Sequence, residues 1–287
     1  MQNTLYTFTL NIAVIAALLL LPVQAVGQDH LSEDFMKAAR TADILILGEV
    51  HDNPRHHEIQ AQVAGALQPA ALVFEMIPKT QEAEVNRLRQ AGATRAELAS
   101  ALDWENSGWP DFAFYAKILE AAPEARVIGG EQPIEEVRKA MSEGAAQVFG
   151  SEASTYGLDE PLESHVQEAR EQRQYSAHCE AIPMEMLPGL VEAQRFRDAG
   201  LADATLRARA ATDDGLVVVI TGNGHANLDS GLPEALRFAA PELEVVSLGQ
   251  LEAEPDSNAP PPYDFHHVSA PPPDRPDPCA EFSESAD

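Results

Sequence analysis

Five short runs of Val, Ile and Leu constrain this chain more than any other feature. They are residues 43–49 (DILILGE), 71–77 (ALVFEMI), 126–131 (RVIGGE), 216–222 (LVVVITG) and 244–249 (EVVSLG). Each is apolar on both faces, the pattern of parallel strands buried between helical layers. Longer stretches of helical period separate them. Between the first two lies PRHHEIQAQVAGALQ, with Pro54 near its start, where a missing N–H costs no hydrogen bond. Strand, helix, strand predicts a right-handed βαβ crossover. The expected fold is α/β: a mainly parallel sheet flanked by helices. Residues 80–122 and 133–213 are too long for single crossovers, and they predict an inserted helical lobe over one edge of the sheet. No internal repeat interrupts this rhythm.

The ends of the chain differ from its middle. Residues 1–25 read as a signal peptide, with an apolar core from Ile12 to Leu21 that is short for a membrane span. Val23-Gln24-Ala25 supplies small residues for cleavage after Ala25. No Lys or Arg precedes Lys37, so only the α-amine is positive there, and an uncleaved anchor is the alternative. No cysteine follows the apolar run, which excludes a lipoprotein signal of the usual kind. Periplasmic or secreted location is expected. The body is read as residues 26–252. Residues 253–287 are rich in Pro and acid and are expected to run as an extended surface arm, within which YDFHHVS is a short strand or an anchor.

The formal charge is −27 over 287 residues, with acid spread along the chain. That excludes nucleic acid and anionic membrane surfaces as partners, since both need clustered Lys and Arg. Two cysteines are present, Cys179 and Cys279. In an exported protein an even count favours a disulfide, which would pin the tail to the body; two free thiols are the alternative.

In open parallel sheets ligands bind beyond the carboxyl ends of the strands. Four of the five runs end on chemically capable residues. Glu49 and His51 follow the first, Glu75 lies in the second, Glu131 ends the third, and His225 follows the fourth. Parallel strands would bring these five to one rim. One polar strand end means little, and a hydrogen-bonded structural network is the plain alternative. Five such residues from four segments point to a functional cluster. Glu49, His51, Glu75, Glu131 and His225 are candidate ligands for a divalent metal. Glu49, His51, Glu75 and His225 are also candidates for acid–base catalysis.

The segments GEVH and GNGH, with the glutamate of LVFEMIP between them, resemble the Tiki/TraB/erythromycin-esterase/ChaN superfamily. ILGEVHDNPRHHEIQ, DWENSGWPDFAFYAKIL, HCEAIP, AQRFRDAGLA and YDFHHVSAPPPDRPDPC are similar to the ChaN branch, the haem-binding uptake domain. The resemblance spans roughly residues 43–279. It implies an exported protein of haem or iron acquisition, partnered by iron-acquisition components, with haem held between subunits of a homodimer. The chain departs from the family in its missing lipoprotein cysteine. It also has Glu131 where an Asn-containing turn is expected. With so acidic a chain, anionic haem propionates would need a local basic patch. Tyr175 and His178 lie three residues apart, on one helix face, and are candidate axial ligands. Arg170 and Arg173 stand close enough to meet propionates, and His56 and His57 are alternative ligands. The rival function is a metal-dependent hydrolase using Glu49, His51, Glu75 and His225. An acidic scaffold with a vestigial site is a third.

Overall fold

The computed structural model describes residues 31–277 and 279–280. The signal-peptide segment lies outside the described residues. The protein is α/β, with six parallel strands in the order β3-β2-β4-β1-β5-β6. They are β1 (Ile44–Glu49), β2 (Ala71–Pro78), β3 (Arg126–Glu131), β4 (Val217–Gly222), β5 (Val245–Leu251) and β6 (Phe265–Val268). The five apolar runs became β1 to β5. The sixth strand comes from YDFHHVS in the arm, where Phe265 pairs with Leu248.

Two helices precede or follow β1: α1 (Glu33–Thr41) and α2 (Pro54–Leu67). Asn53 caps α2 through its side chain, and Pro54 stands at its first position. The second connection holds α3 (Glu82–Gln90), α4 (Arg95–Ala101) and α5 (Phe112–Ala121). The third holds α6 (Ile134–Glu143), α7 (Ala145–Phe149), α8 (Ser164–Ala177) and α9 (Leu187–Ala210). After β4 come α10 (Asn223–Ala226) and α11 (Leu232–Ala239).

The expected lobe is more closely joined to the sheet than its sequence suggests. α5 packs on α2, and α9 lies directly on β2, β3 and β4. Small residues let α9 approach: Ala199, Ala202, Ala204 and Ala208 are buried in the core with Leu201. At Gly200 an added Cβ would meet the Gln132 side chain at 2.2 Å, so a larger residue would require that side chain to move. The β3 edge is closed by side chains rather than by a strand. Asn86 donates to the Val127 carbonyl and accepts from its N–H, and Glu82 accepts from Gly129 N–H. An edge so satisfied offers little template for pairing with another chain.

Topology places the rim. The chain runs outward from β1 to β2 and β3, then returns to insert β4 between β2 and β1. Glu49 is in register with Gly222, and Phe74 with Ile220. The carboxyl ends of the three central strands therefore lie side by side, with Glu49, Glu75 and the β4–α10 turn adjacent.

Candidate functional site

Two hydrogen-bonded networks occupy the rim. The first is centred on Glu49, which is 2% exposed. His51 Nδ1–H and the Tyr115 hydroxyl donate to its Oε1 at 2.8 and 2.9 Å. Gln60 Nε2 donates to Oε2 at 2.8 Å, and His57 Nδ1 lies 3.4 Å from the same oxygen. A buried carboxylate with this many partners is affordable only because its lone pairs are met. Burial and the Glu49 charge push the Tyr115 phenol far up, so it remains a donor.

The second network holds Glu75 and His225, which are 3% and 4% exposed. Glu75 Oε2 accepts from Thr221 Oγ1 at 2.7 Å and from Gly222 N–H at 2.8 Å. Its Oε1 accepts from the Arg197 guanidinium and lies 3.3 Å from His225 Nε2. On the other side of the ring, His225 Nδ1 lies 2.6 Å from Asp198 Oδ1. Burial opposes charge on His225, but the Glu75 and Asp198 carboxylates outweigh it and push the ring up to about 9. At neutral pH it is an imidazolium between two carboxyl groups. Burial pulls Glu75 upward, yet His225 and Arg197 hold it well below the usual carboxylate range. At Asp198 burial wins, and the carboxyl is raised against the pull of the same two cations.

His51 joins the networks. Its ring lies over Gly222, where an added Cβ would meet Nε2 at 2.9 Å. It packs edge-on against Trp109, with centroids 5.0 Å apart. Although burial opposes it, the Glu49 hydrogen bond and the Glu75 charge raise this histidine. A cavity of 230 Å³ opens beside the rim, lined by Glu75, Trp109, Glu131, Arg197 and Leu201 among others. Burial raises the Glu131 carboxyl, Arg197 pulls it down, and Glu75 adds to the rise.

The rim residues thus meet as expected, but not as a metal site. His225 Nε2 faces Glu75, and its Nδ1 faces Asp198 and the Gln194 amide, so both ring nitrogens are engaged within the protein. Glu75 is saturated by Arg197, Thr221, Gly222 and His225. Among the described residues no group of three or more His, Cys, Asp or Glu is arranged to hold a metal ion. The described residues therefore give no support to the divalent-metal reading of Glu49, His51, Glu75, Glu131 and His225.

His56 and His57, the alternative haem ligands, are both fully buried and engaged within the fold. His56 Nδ1 accepts from Val50 N–H at 2.9 Å, and burial lowers this ring to about 4, so it stays neutral. His57 Nε2 donates to the His51 carbonyl at 2.8 Å, and its ring packs against Phe114 and Tyr115. They shape the β1–α2 turn that carries His51.

The remaining haem candidates lie on α8, beside a second cavity of 340 Å³ between α8 and α9. Its lining includes Arg170, Arg173, Arg195 and Arg197 with His178. In a chain of charge −27, this is the local basic patch the sequence did not display. Three of these arginines have anionic partners. Arg170 grips Glu234 and the Asp229 carbonyl, Arg195 binds Glu192, and Arg197 binds Glu75. Arg170 lines the cavity but its guanidinium is already engaged by Glu234. Arg173 differs, since its Nη1 donates to the Ser230 hydroxyl. His178 Nδ1–H donates to the Gln174 carbonyl at 2.7 Å. In the neutral tautomer this leaves a lone pair on Nε2. Tyr175 is half-buried on the same helix and does not line the cavity.

Sequence reasoning missed Arg197, Asp198 and Gln194, whose amide lies 2.9 Å from His225 Nδ1, although AQRFRDAG carries all three. Polar residues three and four apart on a helix otherwise rich in small residues were the available signal. It also missed Gln60 and Tyr115, which look like ordinary helix residues until the fold brings them to Glu49.

A family model described as haem-binding uptake, Tiki superfamily, ChaN matches residues 35–236. The chain belongs to the ChaN family. Among solved structures, ChaN of Campylobacter jejuni, described with cofacial haem binding, is 20% identical. It aligns over 78% of this chain and 87% of that one, with a TM-score of 0.60. At that identity the likeness establishes the ChaN fold. The type III effector HopBA1 is 11% identical over 76% and 81% of the two chains, at a TM-score of 0.42. An erythromycin esterase, EreC in its open conformation, is 12% identical over 83% and 78%, at 0.38. Those two scores are too low to carry an argument. No curated protein gives a significant match.

Proposed function

We propose that this ChaN-family protein is an exported haem-binding protein serving haem or iron uptake. Its precursor carries a signal peptide over residues 1–25. The domain of residues 26–252 binds the ligand, and residues 253–287 form an arm over it. The observation that carries this reading is the arginine-lined cavity under α8 with His178 at its edge. The residues present fit a haem. His178 has its Nδ1–H fixed on a backbone carbonyl, the arrangement that orients a ligating imidazole and leaves Nε2 for iron. Tyr175, one turn away, is the alternative axial ligand. Arg173 is available to a propionate, and Met184 and Met186, 60% and 43% exposed, add apolar surface on the connection that follows. When bound, the haem supplies the iron cargo; the chain supplies an axial donor, a cation and an apolar wall. In this reading, as the family resemblance implies, the ligand is shared between two copies of the chain. Among the described residues no helix is long and apolar enough to cross a membrane.

Haemin titration of the mature protein tests this. A shifted Soret band saturating near one haem per chain is expected, with dimerisation followed by sedimentation. His178→Ala should change the spectrum and weaken binding if His178 is the ligand, whereas a change only in Tyr175→Phe assigns the phenolate. Weak, unsaturable binding overturns the proposal.

A further inference from the structure

α8 is an unusual helix to carry a ligand. Core-facing helices bury an apolar stripe, yet in α8 the buried residue is a charged one, Arg170. Its links to the body sit near its middle: Arg170 to Glu234 and the Asp229 carbonyl, and Arg173 to Ser230. Beyond them the cavity opens beneath Gln174, Ala177 and His178, facing Val191 and Gln194 of α9. The hydrogen bond that orients His178 goes to Gln174, within its own helix, and does not tie the turn to anything else. Cys179 and Glu180 then adopt left-handed backbone, at φ 57° and 58°. Residues with a Cβ seldom adopt this conformation unless their surroundings hold them there.

Backbone bonds from Cys179 N–H to the Ser176 carbonyl and from Glu180 N–H to the Tyr175 carbonyl close this turn locally, and a covalent bond ties it to a distant segment. Cys179 is bonded to Cys279 across a sequence separation of 100, with Cα atoms 5.5 Å apart. The arm that delivers Cys279 is itself anchored. β6 pairs with β5, the Asn53 side chain donates to the Ala270 carbonyl, and Arg275 binds both Asp52 and Glu252. Only a few residues separate that ionic clamp on the β1–α2 turn from the disulfide on α8.

We propose that the Cys179–Cys279 disulfide is a positioning strap for the haem site. It fixes the α8 end that presents His178 and Tyr175 to the sheet body, and a dithiol reductant releases it. Reduction consumes two electrons and two protons: the reagent dithiol becomes a disulfide as Cys179 and Cys279 become thiols. The rest of the fold keeps its core, because neither cysteine lies in it. The strap rests on the haem-binding reading for its function, but its effect on α8 does not. Loosening the turn lowers affinity by the fraction of time the ligand remains in place. A competent fraction near one tenth weakens haemin binding about tenfold.

The test compares oxidised wild type, wild type reduced with dithiothreitol and then alkylated, and Cys279→Ser. Amide hydrogen exchange on the haem-free proteins should show protection lost over residues 174–180 and retained in β1, β2 and β4. Haemin titration should show about tenfold weaker binding in both unbonded forms. Equal protection and equal affinity in bonded and unbonded forms overturn the strap. So does unfolding of the whole domain on reduction, which would make the bond a staple of the fold. If oxidised wild type fails to bind haemin, the haem reading falls, and the exchange data alone decide whether the strap exists.

Discussion

His225 should make the stability of this protein fall as pH rises through the neutral range. The fold raises its ring from 6.5 to about 9, because Glu75 and Asp198 flank it in a buried site. Below pH 6.5 both the folded and the unfolded chain hold this proton, and the full stabilisation is present. Between 6.5 and about 9 the unfolded chain has lost it and the folded protein has not, so stability drains across that window. At ~1.4 kcal/mol per pH unit, the shift corresponds to about 3 kcal/mol. Asp198→Asn removes one anion while its amide oxygen still accepts from His225 Nδ1–H. The folded ring should then titrate closer to 6.5, and the loss across the window should shrink to less than half. Urea denaturation at pH 6, 7, 8 and 9, without reductant, measures this by fluorescence of Trp104, which is buried. His51, also raised, contributes in the same direction, and because the His225 charge opposes its rise the difference between the two proteins reports the coupled pair. A wild type whose stability is flat from pH 6.5 to 9, or a variant with the same slope, would refute an imidazolium at this position.

The other predictions concern separate parts of the molecule. Thiol titration of the denatured, unreduced protein should find no free thiol, and two free thiols would reject the bond. Gly222→Ala places a methyl group against the His51 ring, so it should cost about 1–3 kcal/mol and displace the His51 resonances in an NMR spectrum, with Gly224→Ala as a milder control. Glu75→Gln should destabilise by about 1–3 kcal/mol, because it leaves the buried His225 with Asp198 as its remaining carboxylate and the half-exposed Arg197 without a carboxylate; a thermal melt that matches wild type would contradict the network. Intact mass of exported protein should give a chain beginning near Val26, whereas a full-length, membrane-bound species would reject cleavage after Ala25.

Much of the sheet was legible because burial on both faces leaves a mark in sequence. β1 to β5 read as continuous Val, Ile and Leu runs, each ending within two residues of its expected boundary. β6 was harder, since an edge strand such as FHHV is only half-buried and need not be apolar. The helices of the third connection were legible as helices but not as layers. α9 is an Ala- and Gly-rich helix whose apolar residues are small, so it looks like part of a surface lobe. Its close contact with β3 depends on that smallness, which a hydropathy pattern does not reward.

The candidate site divides along the same line. Strand-end residues were predictable because the topology of a parallel sheet fixes where they go. Glu49, His51, Glu75 and His225 meet at the rim for that reason. Their chemical states were not predictable, because partners from remote helices set them. Asp198 and Arg197, from α9, help turn His225 from a prospective ligand into a buried cation and Glu75 into its counter-ion. Around the cavity between α8 and α9, pairing likewise sorts four arginines, two from each helix. Glu234, Glu192 and Glu75 occupy Arg170, Arg195 and Arg197, and Arg173 is left facing Ser230. A chain with 46 acidic and 19 basic side chains has ample carboxylates to neutralise every arginine. Leaving one beside an arginine-lined cavity, on the helix that presents His178, places positive charge where an anionic ligand would need it. Arg173→Glu should therefore weaken haemin binding while leaving the Arg170–Glu234 anchor and the melting temperature nearly unchanged. An equal loss of both would assign Arg173 to the fold rather than to the ligand.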